Sequence, residues 1–217
     1  MLKIILSLPK TIWFNFRYLP IRQAIYLPIW IACNCKVKIS RGSMKCSFLK
    51  FASIRIGFHE VPIMEPNTRT VLSIDKGGVL YFDGTAHIGK GTKIHVASNA
   101  KLQLGDNFAI SASTQINCYK SIRFGRDIQF SWDCLVMDSD THHIYNETGE
   151  KINEDQEIVF GNKIWIGCRS TILKGSIIPD GCVIGAGSLV SGHCFEENTI
   201  IAGIPAKSLK KIGKWKL

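Results

Sequence analysis

A chain of 217 residues, 46% apolar and 20% charged, describes one folded, elongated domain with an appendage and excludes a disordered protein. Its formal net charge of +10 favours an acidic partner: a phosphate-rich cofactor, an anionic membrane surface or nucleic acid. No helix-turn-helix pattern, zinc-finger spacing or aromatic-interleaved basic motif occurs, which sets nucleic acid aside.

Residues 1–35 differ in kind from the rest. The stretch TIWFNFRYLPIRQAIYLPIWI is aromatic and apolar, carries Arg17 and Arg22, and is expected to be cut by Pro9, Pro20 and Pro28 into short helical pieces. Such a segment suits a cap over the open end of a strand stack. It also suits an amphipathic foot on a membrane surface. The apolar run after Lys3 is too short for a secretory leader, and no run of eighteen apolar residues exists. The cap is the favoured reading; a cytoplasmic protein is expected, with peripheral contact at the inner face of the membrane through this segment as the alternative that could hold beside it.

Eight cysteines form no C-x2-C pair; Cys33 and Cys35 make a C-x-C, and Cys46, Cys118, Cys134, Cys168, Cys182 and Cys194 stand singly. They read as reduced packing residues, and no metal is expected. From Val37 the chain alternates as strands (Val37, Ile39; Phe48, Phe51; Ile54, Ile56), and the region to Gly78 is expected to form incomplete first coils.

A period of six then emerges. Ile88 and Ile94 keep it, then Leu104, Ile110, Ile116 and Ile122, with a second register at Phe124, Phe130 and Val136. From Phe160 it runs without a miss through Ile166, Ile172, Ile178, Ile184 and Val190. Helical geometry would scatter such positions around a cylinder, whereas an even period keeps strand residues on one face. Short strands and turns, three to a coil, bury one residue in six: an all-β, parallel β-helix of hexapeptide repeats. An ordinary β-sandwich is the alternative, and six consecutive positions on register count against it. The slips between registers imply bulged or longer corners.

Between Thr141 and Glu157 the pattern lapses: the frame meets His142, Thr148 and Glu154 where core residues belong, so residues 141–157 must leave the coil as an excursion loop. Its start, Asp138-Ser139-Asp140-Thr141-His142-His143, is the best catalytic constellation in the chain. Histidine is the natural proton acceptor near neutral pH, and a carboxylate, Asp138 or Asp140, can set its tautomer. A polar corner with surface histidines is the competing reading. A metal site would need a further ligand, and His59, His87, His95 and His193 are scattered. A basic tail, 205–217, closes a domain read as 36–217, with Lys207, Lys210, Lys211, Lys214 and Lys216.

The run KIWIGCRSTILKGSIIPDGCVIGAGSLVSG, then NTIIAGIPAKSLKKI, resembles the hexapeptide-repeat O-acetyltransferases, and MDSDTHHI resembles their D-x-D-x-H loop. The resemblance covers roughly Gly78 to Ile212; more softly, the N-terminal stretch resembles that of bacterial acetyltransferases encoded with capsule or O-antigen synthesis. It implies a left-handed helix, an exception to the right-handed crossover preference. It also implies a homotrimer with a site in each groove between neighbouring subunits, and an acetyl-CoA-dependent O-acetyltransferase acting on a cell-surface polysaccharide or its sugar precursor. His142 would be the general base, with Asp140 or Asp138 orienting it and Trp165 beside the thioester. Gly167, Cys168, Gly185 and Ala186 would take the pantetheine arm; Ser191 and Lys207 would lie near the nucleotide. The family's acceptor-holding asparagine is missing from Ser111-Ala112-Ser113, and Trp132-Asp133 replaces a common Pro-Asn pair. Ser113, Trp132, Asp133, Asp138 and His143 are therefore the acceptor-facing candidates, and simple galactosides are not expected. Transfer of another acyl group, an amino-sugar acceptor, a metal-dependent hydratase of the carbonic-anhydrase kind and a non-catalytic scaffold are the alternatives.

Overall fold

The computed structural model describes residues 2–62, 67–192 and 195–216. His193 and Cys194 lie outside them. Short strands wrap into three flat faces, a first of nine strands, a second of seven and a third of six. Successive coils pair in parallel, so each inward column holds one residue per coil. On the first face Ile88, Ile110, Phe130, Ile166, Ile184 and Ile201 stack in register. The second face stacks Ile94, Ile116, Val136, Ile172 and Val190, and the third Leu104, Phe124, Phe160 and Ile178. All of these are buried.

The two upstream registers have a simpler origin than irregular corners. Strand Ser121–Phe124 buries both Ile122 and Phe124, which are two positions apart and hence on one side of a strand. The extra two residues lengthen the third face, so Ile116 pairs with Val136 twenty positions on, whereas Ile172 pairs with Val190 eighteen on. The wider coils are filled by aromatic rings. Phe124 stacks on Phe160 at 4.4 Å, and Phe108 and Phe130 pack around them.

The N-terminal segment departs from expectation at Pro9. Helix α1 runs unbroken over Leu2–Tyr18 with Pro9 inside it, and α2 (Ile21–Ala24) follows Pro20. What holds α1 across a proline is a ladder to the open edge of the first strand, Ile29–Ile31. Asn15 donates to the Ile29 carbonyl (2.7 Å) and accepts from its N–H (3.2 Å). Thr11 Oγ1 does the same for Ile31, at 3.3 and 3.1 Å, and Ser7 Oγ accepts from the Cys33 N–H at 3.0 Å. Residues four apart share one helix face, so these three side chains stand in for a missing neighbouring strand. The first coil therefore starts at Ile29, inside the stretch expected as cap alone.

Residues 205–216 are not a free tail. Ala206–Lys211 pairs antiparallel with Thr199–Gly203, and the chain turns back across the first face, where Trp215 Nε1 donates to the Lys163 carbonyl at 2.9 Å. Asn15→Ala leaves the N–H and carbonyl of Ile29 without partners in a dry interface. A loss of about 2 kcal/mol is expected in a urea melt, and an unchanged midpoint would show that the edge is satisfied otherwise.

Candidate active site

The excursion leaves the stack between Leu135–Met137 and Ile158–Phe160, at the corner joining the second and third faces. Asp138 fastens its root. Fully buried, it accepts the backbone N–H groups of Tyr119 (2.6 Å), Lys120 (2.9 Å) and Ser121 (2.7 Å) from the coil beneath. A carboxylate taken up by three amides offers nothing to an acceptor or an imidazole. Asp138 is thus a corner anchor, against the expectation that it faces substrate.

Asp140 is also differently employed. Its Oδ2 accepts from Lys174 Nζ at 2.6 Å and from Asn153 Nδ2 at 2.8 Å, and these bonds hold its carboxyl below the usual carboxylate range. The same Asn153 Nδ2 donates to the His142 carbonyl at 2.8 Å, and its Oδ1 accepts from the Ile144 N–H at 2.7 Å. Asp140 therefore fixes the backbone that carries His142 rather than the imidazole itself. His142 is exposed; His143 turns aside, its Nδ1 3.3 Å from the Tyr145 hydroxyl.

A second set of candidates gathers at the corner between the first and second faces. Asp133 N–H donates to the Ala112 carbonyl, Arg169 to Trp132 and Gly187 to Cys168, at 3.3, 3.0 and 2.8 Å. Ser113, Asp133, Arg169 and Gly187 all turn this corner with φ between +51° and +70°. Ser113, Trp132, Asp133, Cys168 and Ala186 thus form one column. Gly167 is required by the stacking of coils, since a Cβ there would lie 2.6 Å from the Ala186 nitrogen. Gly185 similarly faces the next coil, 2.8 Å from Ala202 Cβ. Lys207 pairs with Ala202 and stands exposed at the far end of this column.

Within one chain the structure does not bring these two sets together, because the width of the second face separates them. Ser191 follows strand Leu189–Val190 and shares the corner of His142, not that of Cys168. Trp165 points outward from the first face, 44% exposed, with Nε1 3.3 Å from Ser131 Oγ and its ring 6.4 Å from that of Trp215. Among the described residues no group of three His, Cys, Asp or Glu side chains gathers as metal ligands.

Sequence reasoning missed Asn153 and Lys174, and it missed a polar row on the second face. Ser73, His95 and Asn117 align below Met137, directly under the loop root. His95 Nε2 lies 3.7 Å from Asp75 Oδ2, and its ring packs against Tyr119. The signal was present: each follows a core residue (Leu72, Ile94, Ile116, Val136) and so faces outward on the same column.

No family model matches the chain. It is 28% identical over 148 residues to the putative lipopolysaccharide biosynthesis O-acetyl transferase WbbJ of Escherichia coli, which covers 64% of this chain and 74% of that protein. With an uncharacterized 24.8 kDa protein of the cps region of Klebsiella pneumoniae it shares 31% identity over 186 residues, 85% of this chain and 81% of the relative. Among solved structures, the polysialic acid-specific acetyltransferase NeuO superposes with a TM-score of 0.56 at 20% identity, over 85% of this chain and 89% of that one. The polysialic acid O-acetyltransferase OatWY gives 0.54 at 23% identity, over 85% and 88%.

The three-faced coil is thus a left-handed parallel β-helix, and its sequence relatives make the chain an acyltransferase. The chain belongs to the hexapeptide-repeat O-acetyltransferases of the capsule and O-antigen type.

The two aspartates at the loop root separate experimentally. Asp138→Ala exposes three buried donors and is expected to cost about 3 kcal/mol or more in a urea melt. Asp140→Ala should leave that midpoint nearly unchanged but speed tryptic cleavage at Lys151. Because its pKa is lowered in the folded state, the Asp140 brace is present above the ordinary carboxylate range and is lost as pH falls through the lowered value. Equal destabilisation by both variants would contradict this division.

Proposed function

We propose that the enzyme transfers an acetyl group from acetyl-CoA to a hydroxyl of a cell-surface polysaccharide or its sugar precursor, with His142 as general base. It works in the cytoplasm, against the inner face of the membrane. The observation that carries the reading is the placement of an exposed imidazole on a braced loop at one corner, while Cys168 and Ala186 form a stacked column at another. In a homotrimer the His142 of one subunit faces the Cys168 column of the next, so two copies complete each site. That arrangement also explains why one chain keeps the two sets apart.

Neutral His142 takes the proton from the acceptor hydroxyl as its oxygen attacks the thioester carbonyl. Backbone N–H groups at the corner of Gly167 or Gly185 stabilise the tetrahedral oxyanion. Collapse breaks the C–S bond and expels the CoA thiolate, which receives from the imidazolium the proton first taken from the acceptor and leaves as the free thiol. Cys168 and Ala186 bind the pantetheine arm through their backbone, Trp165 flanks the thioester, and Lys207 meets the nucleotide end, where an ammonium suits phosphate, with Ser191 contributed from the neighbouring copy along with His142. Ser113, Trp132, Asp133 and His143 lie on the acceptor side.

His142→Ala should lower turnover by ~10²–10⁴, the usual worth of a positioned base, with little change in the acetyl-CoA requirement; near-normal turnover rejects the assignment. Cysteine chemistry gives a second check. Burial pushes the thiols of Cys35 and Cys134 up to about 11 and that of Cys46 to about 12, whereas Cys33 is exposed and Cys168 half-buried. Iodoacetamide is expected to label Cys33 and Cys168 ahead of these three in the native protein, and CoA to slow labelling at Cys168 alone. No protection by CoA would remove Cys168 from the cofactor channel.

A further inference from the structure

Helix α1 buries Phe14 and Tyr18, yet much of its inward face is polar and much of its outward face apolar. Its polar stripe, Ser7, Thr11 and Asn15, faces the protein, while Ile5, Ile12, Trp13 and Phe16 face outward, Trp13 52% exposed. Ile21, the first residue of α2, and Ile25, just after its end, add exposed apolar surface at 68% and 60% exposure. A helix bordering water has the opposite arrangement, and a contiguous apolar patch of this kind marks a binding surface.

Charge is segregated to the same end. The first 59 residues hold ten Lys and Arg and no Asp or Glu, which leaves seventeen of each sign in the remainder. The whole formal charge of +10 therefore sits on the helices and the first coils. Arg17, Arg22, Lys36, Lys38, Arg41 and Lys45 are all exposed.

We propose that this end of the β-helix docks on the surface of an anionic lipid bilayer, with the outward stripe of α1 at the acyl boundary and the basic side chains among the phosphates. No described helix is long and apolar enough to cross a membrane. A second copy is disfavoured as the occupant, because face-to-face contact sets ten like charges against ten. Bonds to the first strand hold α1 in its docking conformation beforehand, so little ordering entropy is lost on binding.

The inference deepens the proposed function by naming the surface, and it relies on that reading only for what the acceptor is. His142 follows the second-face strand of the fifth coil, and four coil steps of about 4.8 Å lift it about 20 Å above the capped end. With the coil axis upright, that height suits a glycan carried on a membrane lipid.

The full chain is mixed with phosphatidylcholine vesicles, with and without phosphatidylglycerol, and bound protein is separated by flotation. Binding only to the anionic vesicles, reversed by high salt, is expected. Arg17→Gln and Arg22→Gln should each weaken it about fivefold, and Trp13→Gln combined with Phe16→Gln should abolish it. These side chains are exposed, so melting midpoints should hold. Thiol release from acetyl-CoA with a soluble saccharide should keep its wild-type rate in all four substitutions, so loss of docking and loss of acyl transfer are read separately. No binding to anionic vesicles, equal binding to neutral ones, or self-association abolished by the Trp13 and Phe16 changes would overturn the proposal.

Discussion

Every coil of this protein directs its backbone hydrogen bonds at the coils above and below it, and that single constraint shapes the rest. In-register stacking lets each inward column be built from one residue type after another of similar size, as Ile110, Phe130, Ile166 and Ile184 are. It also means that a strand cannot be interrupted without orphaning donors on two neighbours. Additional chain can leave only at a corner, and the stack must be closed at its ends.

The excursion loop obeys the first rule. It departs at a corner, and Asp138 reaches down to satisfy the amides of Tyr119, Lys120 and Ser121 that the departure exposes. Asp140, Lys174 and Asn153 then hold the chain leading to His142 against the body of the helix. The base proposed here would sample many wrong positions on a mobile loop; instead Asn153 holds the His142 main chain, and the charge-assisted Lys174–Asp140 bond ties that bracing to a rigid coil. The second rule governs α1. An edge strand needs partners, and inward-facing Ser7, Thr11 and Asn15 supply them; Phe14 and Tyr18 join the core beside them, while Ile5, Ile12, Trp13 and Phe16 are left on the outside.

The repeat from Phe160 to Val190, the excursion and the DSDTHH cluster were legible because each is a local pattern or a break in one. The two upstream registers were visible but misattributed: alternation within Ser121–Phe124 places Ile122 and Phe124 on the same side, and a six-residue frame sees only one of them. Pro9 reads as a helix breaker in isolation, and only the ladder to Ile29–Ile31 overrides it. The roles of Asp138 and Asp140 were hidden for a related reason. Their partners, Tyr119 to Ser121 and Lys174, lie one coil below and one above, at separations that no short motif records.

That same stacking explains the split of the candidate site. A column of corner residues is straight, so one chain presents Cys168 and Ala186 along one edge and the His142 loop along another, with the second face between them. No bend within a coil can bring the two edges together without breaking the parallel register. The proposed reaction, with its base at one edge and the thioester at the other, would therefore draw on a second copy of the chain, whereas the helices and basic side chains belong to an end that a side-by-side arrangement would leave uncovered. Three parallel copies would present three such ends in one plane, and multivalent contact with a flat anionic surface would follow from the symmetry. In this reading the axis that aligns the grooves is also the axis that stands on the membrane.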